Sequence, residues 1–260
     1  MEQPALSARA RLQQKPAQRP VMYQQWSDLL FLHWEMGVDT IASTLPPGLH
    51  PDTHEGKAYL GIVPFFMKNI RPAYLPAVPG ISNFLEVNLR TYVYDRQGRP
   101  GVWFYSLDAN QWLAVLLGRK WFNLPYHRAL MRASQPKGSE IIHYQSTRKT
   151  ADKGLTSRFS YQQAGQITQA APGTLEFFLL ERYLLYAYDQ GKKQLYAGRV
   201  HHEPYHFASA NVKNWDYHLL HLQGFPKPGR EPDHAVVSPG VKVAFYGMEK
   251  CVANPVITIL

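Results

Sequence analysis

The residues best suited to chemistry lie in one short run, Glu86-Val87-Asn88-Leu89-Arg90-Thr91-Tyr92, in which polar and apolar residues alternate. In an extended chain alternate side chains share a face, so Glu86, Asn88 and Arg90 point one way and Val87, Leu89 and Thr91 the other. A carboxylate, an amide and a guanidinium converging on a pocket would hold an organic anion, with Arg90 gripping a carboxylate through two parallel hydrogen bonds. The plainer reading is a sheet with its polar face in water, and alternation by itself favours it. Further on, Pro125 pushes Leu124 into an extended conformation and starts a turn that displays Tyr126 and His127. His127 titrates near neutral pH and is a candidate general acid or base, with Tyr126 as donor to a developing oxyanion. Ser106, Arg119 and Arg182 join Asn88 and Arg90 as candidate ligand contacts. The plainer alternative for Arg182 is an exposed charge pair with Glu181, and for Asp108 a helix cap.

Other constellations carry less. A triad of Ser106, His127 and Asp108 lacks the Gly-x-Ser-x-Gly elbow. His201, His202, His206, His218 and His221 show no diagnostic ligand spacing, so no metal is expected, and nothing calls for a cofactor. Cys251 is the only cysteine, which excludes an internal disulfide and a thiolate metal cluster within one chain. It reads as an inert core or strand residue. Phe65, Phe66, Trp103, Trp112 and Trp121 are expected in the core, since aromatic residues bury well without a cofactor to explain them.

The elements that position these residues are mostly strands. Residues 22–36 suggest a short helix running into an extended segment, and residues 39–45 a short helix stopped by Pro46-Pro47-Gly48. Residues 58–67, 84–94 and 101–107 read as strands, the first an edge or bulged strand because it holds Pro64. The turn residues Asp95-Arg96-Gln97-Gly98 join the second and third as a hairpin. Residues 110–122 are the best helix, capped by Asp108 or Asn110, with Leu113, Leu116 and Leu117 along one face. Segments 131–133, 140–147 and 157–163 read as antiparallel strands. A helix from Leu175 leads into a strand near Tyr186, a turn at Asp189-Gln190-Gly191, and strands over 194–200 and 241–250. Pro-rich loops occupy residues 225–239. The count gives an α+β, β-dominated domain with a few short helices on or inside a large, mostly antiparallel sheet.

Composition sets the outer bounds. With 260 residues and 45% apolar content the chain can bury one large core, so a single domain over residues 21–260 is expected. Residues 1–20 read as a disordered basic leader, a mitochondrial presequence being the weaker reading because Glu2, Pro16 and Pro20 interrupt any amphipathic helix. No apolar stretch approaches the about 20 residues that span a bilayer, and cytoplasm is the default location. The net charge of +9 suits an anionic partner, but the basic residues are dispersed and no nucleic-acid signature accompanies them. Nucleic acid is therefore the weaker alternative to a small anionic ligand. A homo-oligomer is compatible with the sequence.

Several phrases in order carry a family resemblance: Phe31-Leu32-His33-Trp34, Leu45-Pro46-Pro47-Gly48-Leu49, Val63-Pro64-Phe65, the run from Glu86 to Tyr92, Ser106-Leu107-Asp108, Leu124-Pro125-Tyr126 and Glu181-Arg182-Tyr183. Together they resemble the YqjF-like family of unknown function, grouped with the acetoacetate decarboxylase-like superfamily. The resemblance implies a strongly curved antiparallel sheet forming a cone-like barrel around a deep pocket. It also places Glu86 near an active-site glutamate of the decarboxylase, which reverses the preference for a solvated face. The decarboxylase works through a Schiff-base lysine whose pKa a neighbouring lysine lowers by disfavouring a second positive charge. Tyr126 and His127 stand where those two lysines would be, and neither forms an imine with a ketone. Lys120 lies earlier, on the preceding helix, as a remote substitute. The expected function is a small-molecule binding protein or acid-base enzyme taking an anionic or carbonyl-bearing ligand, with a non-catalytic sensor or interaction domain as the alternative.

Overall fold

Runs of aromatic and β-branched residues suit a pleated, half-buried surface, and the chain is accordingly mostly strand. The computed structural model describes residues 2–151 and 155–251. Its strands are β1 (Met22–Met36), β2 (Leu49–Pro51), β3 (Ala58–Pro72), β4 (Phe84–Asp95), β5 (Pro100–Ala109), β6 (Tyr126–Ser134), β7 (Ile142–Arg148), β8 (Thr156–Gln169), β9 (Leu184–Asp189), β10 (Gln194–His202), β11 (His206–Asn214) and β12 (His234–Lys250). The helices are α1 (Leu6–Gln13), α2 (Val38–Ala42), α3 (Trp112–Phe122), α4 (Leu175–Leu180) and α5 (His218–His221).

All the strands join one large curved sheet in the order β10-β9-β5-β6-β7-β8-β11-β12-β1-β3-β4-β2, with β4–β5 and β10–β12 also paired. The ladder that leaves β5 through β6 thus returns to it through β4. Pairing is antiparallel except for β5–β6 and β5–β9. A parallel neighbour needs a crossover, which α3 supplies between β5 and β6. One face of the sheet carries Leu30, Leu32, Leu60, Ile62, Val87 and Leu89, packed with Leu219 and Leu220 of α5. The opposite face carries Leu29, Phe31, Val63, Phe65, Met67 and Phe84 and bounds the cavity described below.

The β4–β5 hairpin forms as the turn residues require: Asp95 Oδ1 accepts from the backbone N–H of Gln97 and Arg99. Several expectations need correction. Residues 22–36 are strand throughout, because β1 buries apolar side chains on both faces and such a run has no period that separates helix from strand. β3 is a bulged strand, as Pro64 suggests, and not an edge: it is paired on both sides, and Pro64 lies at the register shift of the β1–β3 ladder between Ser27/Phe66 and Leu32/Ile62, where its missing N–H costs nothing. The cap of α3 is Gln111, whose side chain accepts from Leu113 N, while Asn110 accepts from Leu85 N. Trp112 and Trp121 are exposed rather than core. Residues 206–214 form β11, and β12 begins inside the expected loop.

The leader, expected to be disordered, instead forms α1, and its Arg9 is buried in a bidentate ion pair with Asp52 at 2.7 and 2.8 Å. Gly240 has φ +117°, and a Cβ there would lie 1.9 Å from the Trp26 carbonyl oxygen, so only glycine lets β12 run this close to β1.

Candidate functional site

The chain encloses a cavity of about 620 Å³ between the sheet, α3 and residues 70–82. Strand β4 supplies its polar floor. Because successive side chains alternate, Phe84, Glu86, Asn88 and Arg90 line the cavity while Val87 and Leu89 enter the core on the other face. Strand β6 brings Tyr126, and the segment after α4 brings Arg182.

Glu86 is 3% exposed. Burial raises its pKa from 4.5 to about 8, against the opposing hydrogen bond from Tyr126 and with a smaller push from Asp108. The carboxyl is therefore mostly protonated at pH 7. Tyr126 donates its hydroxyl to Glu86 Oε2 at 2.9 Å, and burial first, then Glu86, holds the phenol pKa well above its usual value. The ring of Tyr126 fits only because α3 has a glycine opposite: a Cβ on Gly118 would sit 2.4 Å from it. The turn that sets this strand uses Asn123 in the left-handed region, φ 51°, followed by Leu124 N–H bonding back to Gly118.

Arg90 is 9% exposed. Its Nη2 donates to Tyr92 Oη at 3.2 Å and to the Leu179 carbonyl at 3.4 Å, and the guanidinium lies over the rings of Phe31 and Tyr92 at 5.3 and 5.5 Å. No carboxylate among the described residues pairs with it. Arg182, by contrast, pairs with Asp52 at 2.5 Å and donates to the Phe178 carbonyl at 2.6 Å; burial lowers its pKa to about 10, partly offset by Asp52. Among the described residues three buried polar atoms of the cavity wall find no hydrogen-bond partner: Asn88 Oδ1, Arg90 Nε and Arg182 Nη2. Unpaired buried polar atoms are rare because each carries the desolvation cost of the group.

Behind Arg90 lies a second layer. Tyr92 Oη shares a hydrogen bond of 2.7 Å with His33 Nε2, and His33 Nδ1 one of 3.1 Å with His234 Nδ1. Burial above all holds the His33 pKa well below 6.5, with further lowering by His234 and Arg90, so the ring is neutral. The sequence marks none of the three as a candidate contact. Extending the β4 alternation by one step reaches Tyr92; the pairing of His33 with His234 is a cross-strand contact that local sequence does not encode.

The structure thus brings together Glu86, Asn88, Arg90, Tyr126 and Arg182 and leaves out the other three candidates. His127 follows Tyr126 on β6 and takes the opposite face, where burial, Arg148 and Arg119 lower its pKa to about 4. Arg119 is exposed on α3 and donates to the Tyr126 carbonyl at 2.5 Å, tying helix to strand. Ser106 is buried but does not line the cavity. Asp108 is bound by Arg148, Nη2 to Oδ1 at 2.7 Å, so neither the cap nor the triad role fits it. Lys120 is exposed, and burial raises the Cys251 thiol to about 11. Among the described residues no three His, Cys, Asp or Glu side chains gather as metal ligands, and no helix is long and apolar enough to cross a membrane.

Comparison with known proteins places this geometry in context. A family model, DUF2071, described as an uncharacterized conserved protein, matches residues 23–242. The protein YqjF of Bacillus subtilis is 37% identical over 226 residues, covering 85% of this chain and 91% of YqjF. Among solved structures, the enduracididine biosynthesis enzyme MppR complexed with pyruvate superposes with a TM-score of 0.61 at 15% identity, covering 91% of this chain and 93% of MppR. Acetoacetate decarboxylase from Legionella pneumophila gives 0.61 at 14% identity, covering 92% of each chain. These two likenesses are of fold. By its sequence the chain belongs to the DUF2071 family, whose YqjF-like members it resembles along most of its length, and it has the fold of acetoacetate decarboxylase-like enzymes.

Proposed function

We propose that the cavity binds an organic acid and that Glu86 exchanges a proton with the carbon beside its carbonyl. The observation that carries this reading is the buried guanidinium of Arg90, which has no carboxylate partner among the described residues and lines the same cavity as the neutral carboxyl of Glu86. A buried cation without an anion is costly, and a ligand carboxylate on Arg90 Nε and Arg182 Nη2 would repair it. Asn88 Oδ1 is an acceptor and fits a ligand hydroxyl or N–H. The complex of MppR with pyruvate shows that a protein of this fold takes a small carboxylate.

At pH 7 the ionised minority of Glu86, about a tenth for a pKa of about 8, takes the proton from the carbon beside the ligand's carbonyl; the C–H electron pair moves to the carbonyl oxygen as an enolate, and the protonated Glu86 returns a proton to the same carbon. Tyr126 spends its hydroxyl hydrogen on Glu86, so it orients the acid rather than meeting an oxyanion directly. Schiff-base chemistry is not part of the reading, since among the described residues no lysine lines the cavity. That same feature favours, as the second reading, a sensor that binds the acid and leaves it unchanged.

The test is native mass spectrometry with a panel of keto, hydroxy and aromatic acids, followed by proton NMR of each bound acid in deuterated buffer. Incorporation of deuterium beside the carbonyl by the wild type, lost in Glu86→Gln while binding persists, is the expected result. Binding without exchange selects the sensor. Exchange that survives in Glu86→Gln removes Glu86 from the chemistry.

A further inference from the structure

The residues around the polar floor indicate what the rest of the ligand is like. Away from Glu86, Asn88, Arg90 and Arg182 the cavity wall is apolar, with Met67, Ile70, Leu113, Leu117 and Phe122 among its members. A volume of about 620 Å³ falls in the range that encloses most of a drug-sized molecule, far more than a pyruvate-sized acid fills. A small acid held at Arg90 would leave this apolar wall facing water, at a cost proportional to its area.

The apolar surface also continues outward. Val78 and Trp121 line the cavity yet are 47% and 68% exposed, and Leu75 and Ile81 are likewise both lining and exposed. These residues come from the two sides of an opening, α3 on one and residues 73–82 on the other. The sides are joined by a hydrogen bond from Gln111 Nε2 to the Gly80 carbonyl at 2.8 Å. The cavity therefore runs from buried arginines to an apolar rim in contact with solvent. Large exposed apolar side chains grouped in this way mark a binding site more often than chance scatter does.

We infer that the ligand is an amphipathic carboxylic acid, its carboxylate at Arg90 and its hydrocarbon chain running along the apolar wall to the rim between α3 and residues 73–82. This rests on the organic-acid reading above and adds the substrate class. Among the described residues one other cation lines the cavity: Arg71, near the rim, donates to the Leu75 carbonyl at 3.3 Å and lies 4.8 Å over the Tyr23 ring. It would anchor a chain of the opposite orientation, so the test separates the two.

The experiment is isothermal titration of the full chain with straight-chain carboxylic acids from acetate to decanoate, below their micelle concentrations, and with the matching alcohols. Each added methylene should tighten binding about fourfold until the chain reaches the rim, after which affinity levels off. Arg90→Met should weaken every acid at least tenfold and leave the alcohols unchanged. Val78→Asp and Trp121→Ser, both at exposed positions where folding is not at stake, should weaken the longer acids and spare the shortest. Affinity independent of chain length, with Arg90→Met still weakening it, overturns the inference and leaves the organic-acid reading standing. Equal slopes and equal affinities for acids and alcohols, or loss of acid binding in Arg71→Met and not in Arg90→Met, overturn the inference through its headgroup. No binding by any acid of any length overturns both.

Discussion

Replacing Glu86 by Gln isolates the claim that this carboxyl is neutral in the folded chain. Below about pH 4.5 the carboxyl is protonated whether the chain is folded or not. Above that the unfolded chain releases its proton, while the folded chain keeps it until about pH 8. The folded state then holds more protons, so stability falls as pH rises through this window. The loss is about 1.4 kcal/mol per pH unit and about 5 kcal/mol in all for a pKa moved from 4.5 to about 8. Glutamine has nearly the same shape, accepts from Tyr126 through its amide oxygen and has no proton to release. The quantity to measure is the unfolding free energy of variant minus wild type, by urea denaturation from pH 5 to pH 9 at fixed ionic strength. It should be smallest at the acidic end, climb through neutral pH and level off near pH 8. Buried His33, His202 and His234, whose pKa values are lowered from 6.5, tilt both curves the other way below that pH and cancel in the difference. A difference that stays within about 1 kcal/mol across the whole range would refute the neutral carboxyl and with it the proton-donor role.

Other outcomes follow from single contacts. Gly118→Ala puts a methyl group 2.4 Å from the Tyr126 ring, so it should lower stability by about 1–3 kcal/mol and weaken acid binding by detaching Tyr126 from Glu86. Unchanged melting and binding in this variant would contradict the close packing of α3 on β6. Asp52→Asn leaves Arg9 and Arg182 without their shared anion and should cost about 3–5 kcal/mol in urea denaturation; a loss under about 1 kcal/mol would mean that α1 is not held by this pair. Borohydride added during incubation with keto acids should leave the protein mass unchanged, and a trapped adduct, located by peptide mapping, would restore an amine nucleophile such as Lys120.

How much of this was legible depended on whether one face or two were buried. The β4 strand could be read because its faces differ in kind: Val87 and Leu89 against Glu86, Asn88 and Arg90. The helix α3 showed itself through Leu113, Leu116 and Leu117, although its cap fell on Gln111 and both its tryptophans are exposed, Trp121 at the rim of the cavity. Strand β1 was misread because Leu29 and Phe31 serve one core and Leu30 and Leu32 the other. Long-range pairings were out of reach of local pattern. Arg9 meets Asp52 across 43 residues, and His33 meets His234 across 201. The same limit hid the split of Tyr126 from His127, since adjacent strand residues part to opposite faces and only the placed sheet tells which face holds the cavity. The family resemblance supplied the curved sheet; the unpaired state of Arg90 emerged only from the packed structure.

The most direct test of the account is calorimetric titration of wild type and Arg90→Met, run in parallel with whichever acid binds the wild type, after circular dichroism has shown that both are folded. Arg90 as the buried anchor of a carboxylate requires at least tenfold weaker binding in the variant, the loss of a charge-assisted hydrogen bond worth about 1.5–3 kcal/mol. Equal affinity in the two proteins would contradict it.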